Sequence, residues 1–169
     1  MAEANLLPAF RVLIAGIGNI FLSDDAFGSE VAARMATQEL PAGVSVIDFG
    51  IRGMHLAYEL LEDYDLVIFV DALPRGDEPG TVYVLEPDLD FDREDVAVDP
   101  HGMNPLAVLA LLDDLGGKVR RLLIVGCEPA VLEEDIALSP AVAEAVDRAI
   151  EMIKELLEEE MSAVVAKES

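Results

Sequence analysis

Apolar positions along this chain fall into short unbroken runs separated by amphipathic stretches. Val12–Ile17, Leu66–Val70 and Leu122–Val125 are continuously apolar, the pattern of parallel strands covered on both faces. Strands are expected at about residues 11–17, 44–49, 65–71, 81–86 and 121–127, and helices at about 25–39, 53–62, 104–115 and 139–160. Ser139-Pro140 opens the last helix, with serine as N-cap and proline at the first helical position. Pro74–Pro79 and the acidic stretch Pro87–Pro100 read as loops. Thr81–Glu86 follows Asp71 too closely for a crossover helix, so that strand is expected to be antiparallel or at an edge. The alternation predicts an α/β fold, a three-layer α/β/α sandwich around a mostly parallel five-stranded sheet. No repeat or linker divides residues 1–169, which read as one domain with a tail expected to fray after Met161.

Composition narrows the class. At 169 residues and 53% hydrophobic, the chain can build a sizeable core. No apolar run approaches the ~20 residues of a membrane span. The opening MAEANLLPAF lacks the basic flank and apolar stretch of a signal peptide. The one cysteine, Cys127, cannot form an internal disulfide, so a reducing, cytoplasmic setting is the default expectation. Eleven basic against 34 acidic residues give a net charge of −23. That field repels nucleic acid and anionic membranes, and tolerates a cation or a basic protein surface.

Three places carry candidate chemistry. In Gly16-Ile17-Gly18-Asn19-Ile20-Phe21-Leu22-Ser23-Asp24-Asp25, a glycine turn follows the first strand. A dinucleotide fingerprint requires glycine where Phe21 stands, and the two acids would repel a pyrophosphate. Asp24 or Ser23 could cap the following helix with Asp25 in its first turn, and Asp24 could instead serve as a base. Asp71 ends the third strand, where α/β sheets bind ligands. His101 lies in the loop Asp99-Pro100-His101-Gly102, just before a helix, while His55 reads as solvated. If the strand ends converge, Asp25, Asp71 and His101 form a two-carboxylate, one-imidazole set suited to Zn, Ni, Mn or Fe. Three protein ligands leave positions open for substrate or water. Cys127, beside Glu128 and without a basic neighbour, reads as a buried apolar residue. A phosphorylated receiver domain would need a lysine after the fifth strand, where the chain reads Gly126-Cys127-Glu128-Pro129.

These motifs, taken in order, resemble the hydrogenase maturation endopeptidases. The resemblance rests on Gly16-x-Gly18-Asn19 with Ser23-Asp24-Asp25-x-Phe27-Gly28, Asp48-Phe49-Gly50 with Gly53-Met54, Val70-Asp71-Ala72, Pro100-His101, Gly126-x-Glu128-Pro129 and Leu138-Ser139-Pro140. It spans roughly residues 11–150. It implies that Asp25, Asp71 and His101 ligate a metal, with aspartate at a first position that is glutamate in some members. At Phe49 and Ile51-Arg52 the chain departs from the family's paired glycines and threonine, in a loop that bears on substrate choice. The implied substrate is a nickel-loaded nickel-iron hydrogenase large-subunit precursor, whose C-terminal extension is removed with nickel as the signal of complete loading. Nickel would arrive with the substrate, and zinc or cadmium could occupy the same donors. A non-cleaving nickel-dependent chaperone and a generic metallohydrolase are the alternatives. His101 must be neutral to ligate, so activity is expected to fall below about pH 6–7.

Overall fold

The structure is a computed structural model that describes residues 10–90 and 105–168. Strands β1 (Val12–Ile17), β2 (Val44–Gly50), β3 (Leu66–Ala72), β4 (Val82–Leu85) and β5 (Leu122–Cys127) form one sheet in the order β2-β1-β3-β5-β4. The pairs β1–β2, β1–β3 and β3–β5 are parallel, while β4 runs antiparallel to β5 at the sheet edge. Every residue of β1, β3 and β5 is buried, as continuous apolar runs require when both faces are covered.

Alternation along these strands sorts the core into two layers. Val12, Ile14, Ile68, Val70 and Val125 pack against α1 (Phe27–Met35) and α4 (Pro140–Glu168). Leu13, Ala15, Val67, Phe69 and Ile124 pack against α2 (Gly53–Glu59) and α3 (Pro105–Asp114). The sheet is thus sandwiched between two helical layers.

Two helix boundaries differ from expectation. Residues 25–39 were expected to be one helix, but a 3₁₀ turn at Ser23–Ala26 precedes α1. Asp25 N–H donates to Leu22 O at 3.1 Å, the tighter spacing of such a turn. At the other end, α4 stays helical past Met161 to Glu168. Met161 and Val165 there face Leu40 and Pro41 across a groove, continuing the apolar stripe that Ile153 and Leu157 begin.

Helix α1 sits unusually close to the sheet because two glycines meet at the contact. A Cβ on Gly28 would lie 2.0 Å from Val70 O and 2.2 Å from Ile17 O, and one on Gly16 would lie 2.5 Å from Gly28 O. These neighbours are backbone and cannot swing aside. Gly28→Ala is therefore expected to lower the unfolding free energy by about 2–3 kcal/mol, despite alanine's better helix propensity. Urea denaturation checks this, and a loss under about 1 kcal/mol would mean that α1 is not seated on the strands.

Candidate functional site

The chain passes from β1 to β2 on one side and then returns to β3 on the other side of β1. The carboxyl ends of β1 and β3 therefore flank a topological switch point, where open α/β sheets hold ligands. The structure brings Asp25 and Asp71 together here. Asp71, 3% exposed, ends β3, the middle strand. Burial pushes its carboxyl well above the ordinary value of 3.8, and the nearby Asp25 charge pushes it further, against one backbone hydrogen bond from Ala72. Asp25 is half-buried, with Oδ2 accepting from Asn19 N–H at 2.9 Å.

The local sequence explains how Asp25 reaches this place. Gly18 has φ +153°, and a Cβ there would collide with Asp25 O at 1.9 Å, so only glycine lets the chain fold back so tightly. Asn19 Oδ1 accepts from Phe21 N–H at 2.9 Å, fixing the turn. Ser23 adopts φ +50°, a costly conformation for a residue with a side chain. It is held by Ser23 N–H to Asp135 O at 2.8 Å and Ser23 Oγ to Ala137 O at 2.8 Å.

Asp24 plays neither expected part cleanly. Helix α1 begins without any side-chain cap, so Asp24 does not cap it. The carboxylate, with 0% exposure, instead turns toward the loop between β5 and α4. It accepts from Ala130 N–H and Val131 N–H at 2.8 Å each, Ser139 N–H at 2.7 Å and Ser139 Oγ at 2.9 Å. Burial would raise its pKa, but these donors outweigh that and hold it below 3.8. A carboxylate so occupied is poorly placed to take a proton. Capping failed as an expectation because the partners lie more than a hundred residues away in sequence.

Glu128 is a second buried carboxylate whose structural role the sequence did not reveal. At 6% exposure, it accepts from Arg75 N–H at 2.6 Å and Gly76 N–H at 3.1 Å, anchoring the β3–β4 loop. The Gly126-x-Glu128-Pro129 spacing was its only signal. Cys127 is buried, and burial followed by the Asp24 charge lifts its thiol to about 11, so it stays protonated. His55 is exposed on α2. His101 lies outside the described residues, and among those residues no three His, Cys, Asp or Glu side chains cluster as a metal site. No described helix is long and apolar enough to cross a membrane.

Two stability predictions follow from the opposed pKa shifts. The depressed pKa of Asp24 means that its carboxylate stabilises the fold above the ordinary value, and that this stabilisation is lost as pH falls through the native value. Asp24→Asn is expected to cost about 3 kcal/mol at pH 7, with the gap narrowing in acid. An unchanged urea midpoint at pH 7 would rule the clamp out. Asp71 has the reverse sign: its raised pKa gives stability that is full below the ordinary value and lost as pH rises through the native one. In metal-free protein, Asp71→Asn is expected to raise the thermal midpoint at pH 7 and leave it unchanged near pH 3. Calorimetry at both pH values checks this, and a lowered midpoint at pH 7 would contradict the strain.

Residues 29–156 match the family model HycI, described as hydrogenase maturation protease. The hydrogenase expression/formation protein HupD of Rhodobacter capsulatus is 35% identical, over 89% of this chain and 74% of its own. The hydrogenase 2 maturation protease of Escherichia coli is 29% identical, over 94% of this chain and 98% of its own. Among solved structures, the hydrogenase maturating endopeptidase HybD from E. coli superposes with a TM-score of 0.75 at 30% identity, covering 89% of this chain and 94% of that one. The fold and the span of these matches agree: this chain belongs to the hydrogenase maturation protease family, a family of peptide-bond hydrolases.

Proposed function

We propose that this protein is an endopeptidase that removes the C-terminal extension of a nickel-loaded nickel-iron hydrogenase large-subunit precursor, with the substrate's nickel as the recognition signal. The Asp25–Asp71 pair carries this reading. Two carboxylates whose repulsion and burial raise the proton affinity of one are relieved by a divalent cation. Oxygen donors with an imidazole suit nickel, and zinc or cadmium could take the same donors.

His101 is the third ligand in this reading. It stands four residues before Pro105, the first residue of α3. Helix α3 leads into the amino end of β5, so its own first turn faces the carboxyl ends of the strands. Chain length keeps His101 within about 14 Å of Pro105.

Asp25, Asp71 and His101 complete the coordination of nickel presented by the precursor, which fixes the scissile peptide beside the strand ends. When bound, the nickel would supply Lewis-acid polarisation at that peptide or at a water. Of the two described carboxylates that would hold it, Asp71 is buried and Asp25 half-buried. Asp24 acts only through the turn that carries Asp25.

The deciding experiment incubates nickel-loaded and nickel-free precursor with the wild type, Asp25→Ala, Asp71→Ala and His101→Ala, and reads chain length by mass spectrometry. The wild type is expected to shorten only the loaded precursor, and each variant to lose about a hundredfold or more in rate. Equal cleavage of both precursors would defeat the nickel signal. Full activity in all three variants would defeat the site, and an unshortened wild-type reaction would leave the chaperone reading in its place.

A further inference from the structure

For so acidic a chain, apolar exposure is concentrated in one place. Twelve large apolar side chains are exposed among the described residues, and six of them (Ile20, Phe21, Ile51, Val131, Leu132 and Ile136) belong to the loops that follow β1, β2 and β5. Ile136 is the most exposed of all at 78%, and Phe21 stands at 63%. Scattered single residues of this kind need no explanation, but a group around one end of the sheet does.

Backbone hydrogen bonds set these loops side by side. Gly18 N–H donates to Gly50 O at 3.0 Å, joining the loop after β1 to the start of the loop after β2. On the other side Asp135 N–H donates to Phe21 O at 3.1 Å, and Leu22 forms a parallel bridge with Asp135. The loop after β1 is therefore the middle member, and it also carries Asp25. Ile51 lies to one side, Ile20 and Phe21 in the centre, Leu132 and Ile136 on the other. The row is pinned by Asp24, which holds Ala130 and Val131, and by the Ser23 bonds to Asp135 and Ala137. Such a surface is preorganised, so little ordering is lost when it is covered.

Charge identifies what covers it. Exposed Glu133, Glu134 and Asp135 are interleaved with Leu132 and Ile136, within a chain of net charge −23. An apolar surface threaded with acids fits a polypeptide whose aliphatic or aromatic side chains alternate with lysine and arginine. The middle segment of the row also carries Asp25, which neighbours Asp71, so this polypeptide is taken to be the one whose bond lies at the site. We infer that the loops after β1, β2 and β5 form the docking surface for the protein substrate, engaging an apolar, basic segment flanking the cleaved bond. The inference rests on the endopeptidase reading for the identity of the substrate.

The test measures affinity and cleavage separately, with purified full-length protein and nickel-loaded large-subunit precursor. Leu132→Ser/Ile136→Ser is expected to weaken Kd about tenfold or more and leave kcat at saturating precursor unchanged. Val165→Ser, an equally exposed change near the end of α4, is expected to leave Kd within about twofold. Ile51→Ser supplies a second variant from the opposite side of the row, should the double variant fold poorly by circular dichroism. Added salt is expected to weaken wild-type binding, and less so in Glu133→Gln/Glu134→Gln. Unchanged affinity in the serine variants, equal weakening in Val165→Ser, or salt-independent wild-type binding would overturn the docking surface. A wild type that binds through these residues without cutting would overturn the endopeptidase reading instead, and one that neither binds nor cuts would overturn both.

Discussion

The end of the molecule that carries its chemistry is held together by one carboxylate. Among the described residues Asp24 has no cationic partner; four donors from the β5–α4 loop keep it ionised inside the protein. Because it precedes Asp25 directly, this anchorage also sets the turn from which Asp25 projects. The same contacts bring the loop after β5 against the loop after β1 and seat Ser139 at the start of α4. Loops from distant parts of the sequence are thereby held against one another around Asp25.

Against that well-satisfied charge stands a poorly satisfied one. Asp71 gains little from its surroundings: it is buried, faces Asp25, and has one backbone hydrogen bond to offset both. A fold optimised for stability alone would place an amide or an apolar residue there. Retaining a carboxylate at the topological switch is the sort of local disadvantage that functional sites carry. The close seating of α1 through Gly16 and Gly28 provides the rigidity that keeps the two acids from relaxing apart.

Much of this was legible from the chain because the signals were local or periodic. Val12–Ile17 and Leu122–Val125 announced doubly covered strands, and the short Pro74–Pro79 connection announced an antiparallel edge strand. Asp71 was legible as a carboxylate at the carboxyl end of a buried strand, which is where the structure has it. Asp24 was read differently from the role it takes and Glu128 was assigned none, since their partners are amides far along the chain, and backbone donors leave no mark in residue type. The 3₁₀ turn at Ser23–Ala26 was equally hidden, because the positive φ of Ser23 is imposed by Asp135 and Ala137. Helix α4 outran its expected end where Met161 and Val165 line a groove with Leu40 and Pro41, a different part of the chain.

The sealed thiol of Cys127 has a consequence of its own. It is the chain's one thiol, and burial with a neighbouring negative charge keeps it protonated and out of reach. In the proposed site, the described strand ends would therefore offer carboxylate oxygen, and no thiolate, to a metal. Oxygen donors compete feebly with thiolates for a late transition metal. Under the proposed reading, carboxylates without a thiolate beside them would hold such an ion loosely enough to release it with the product.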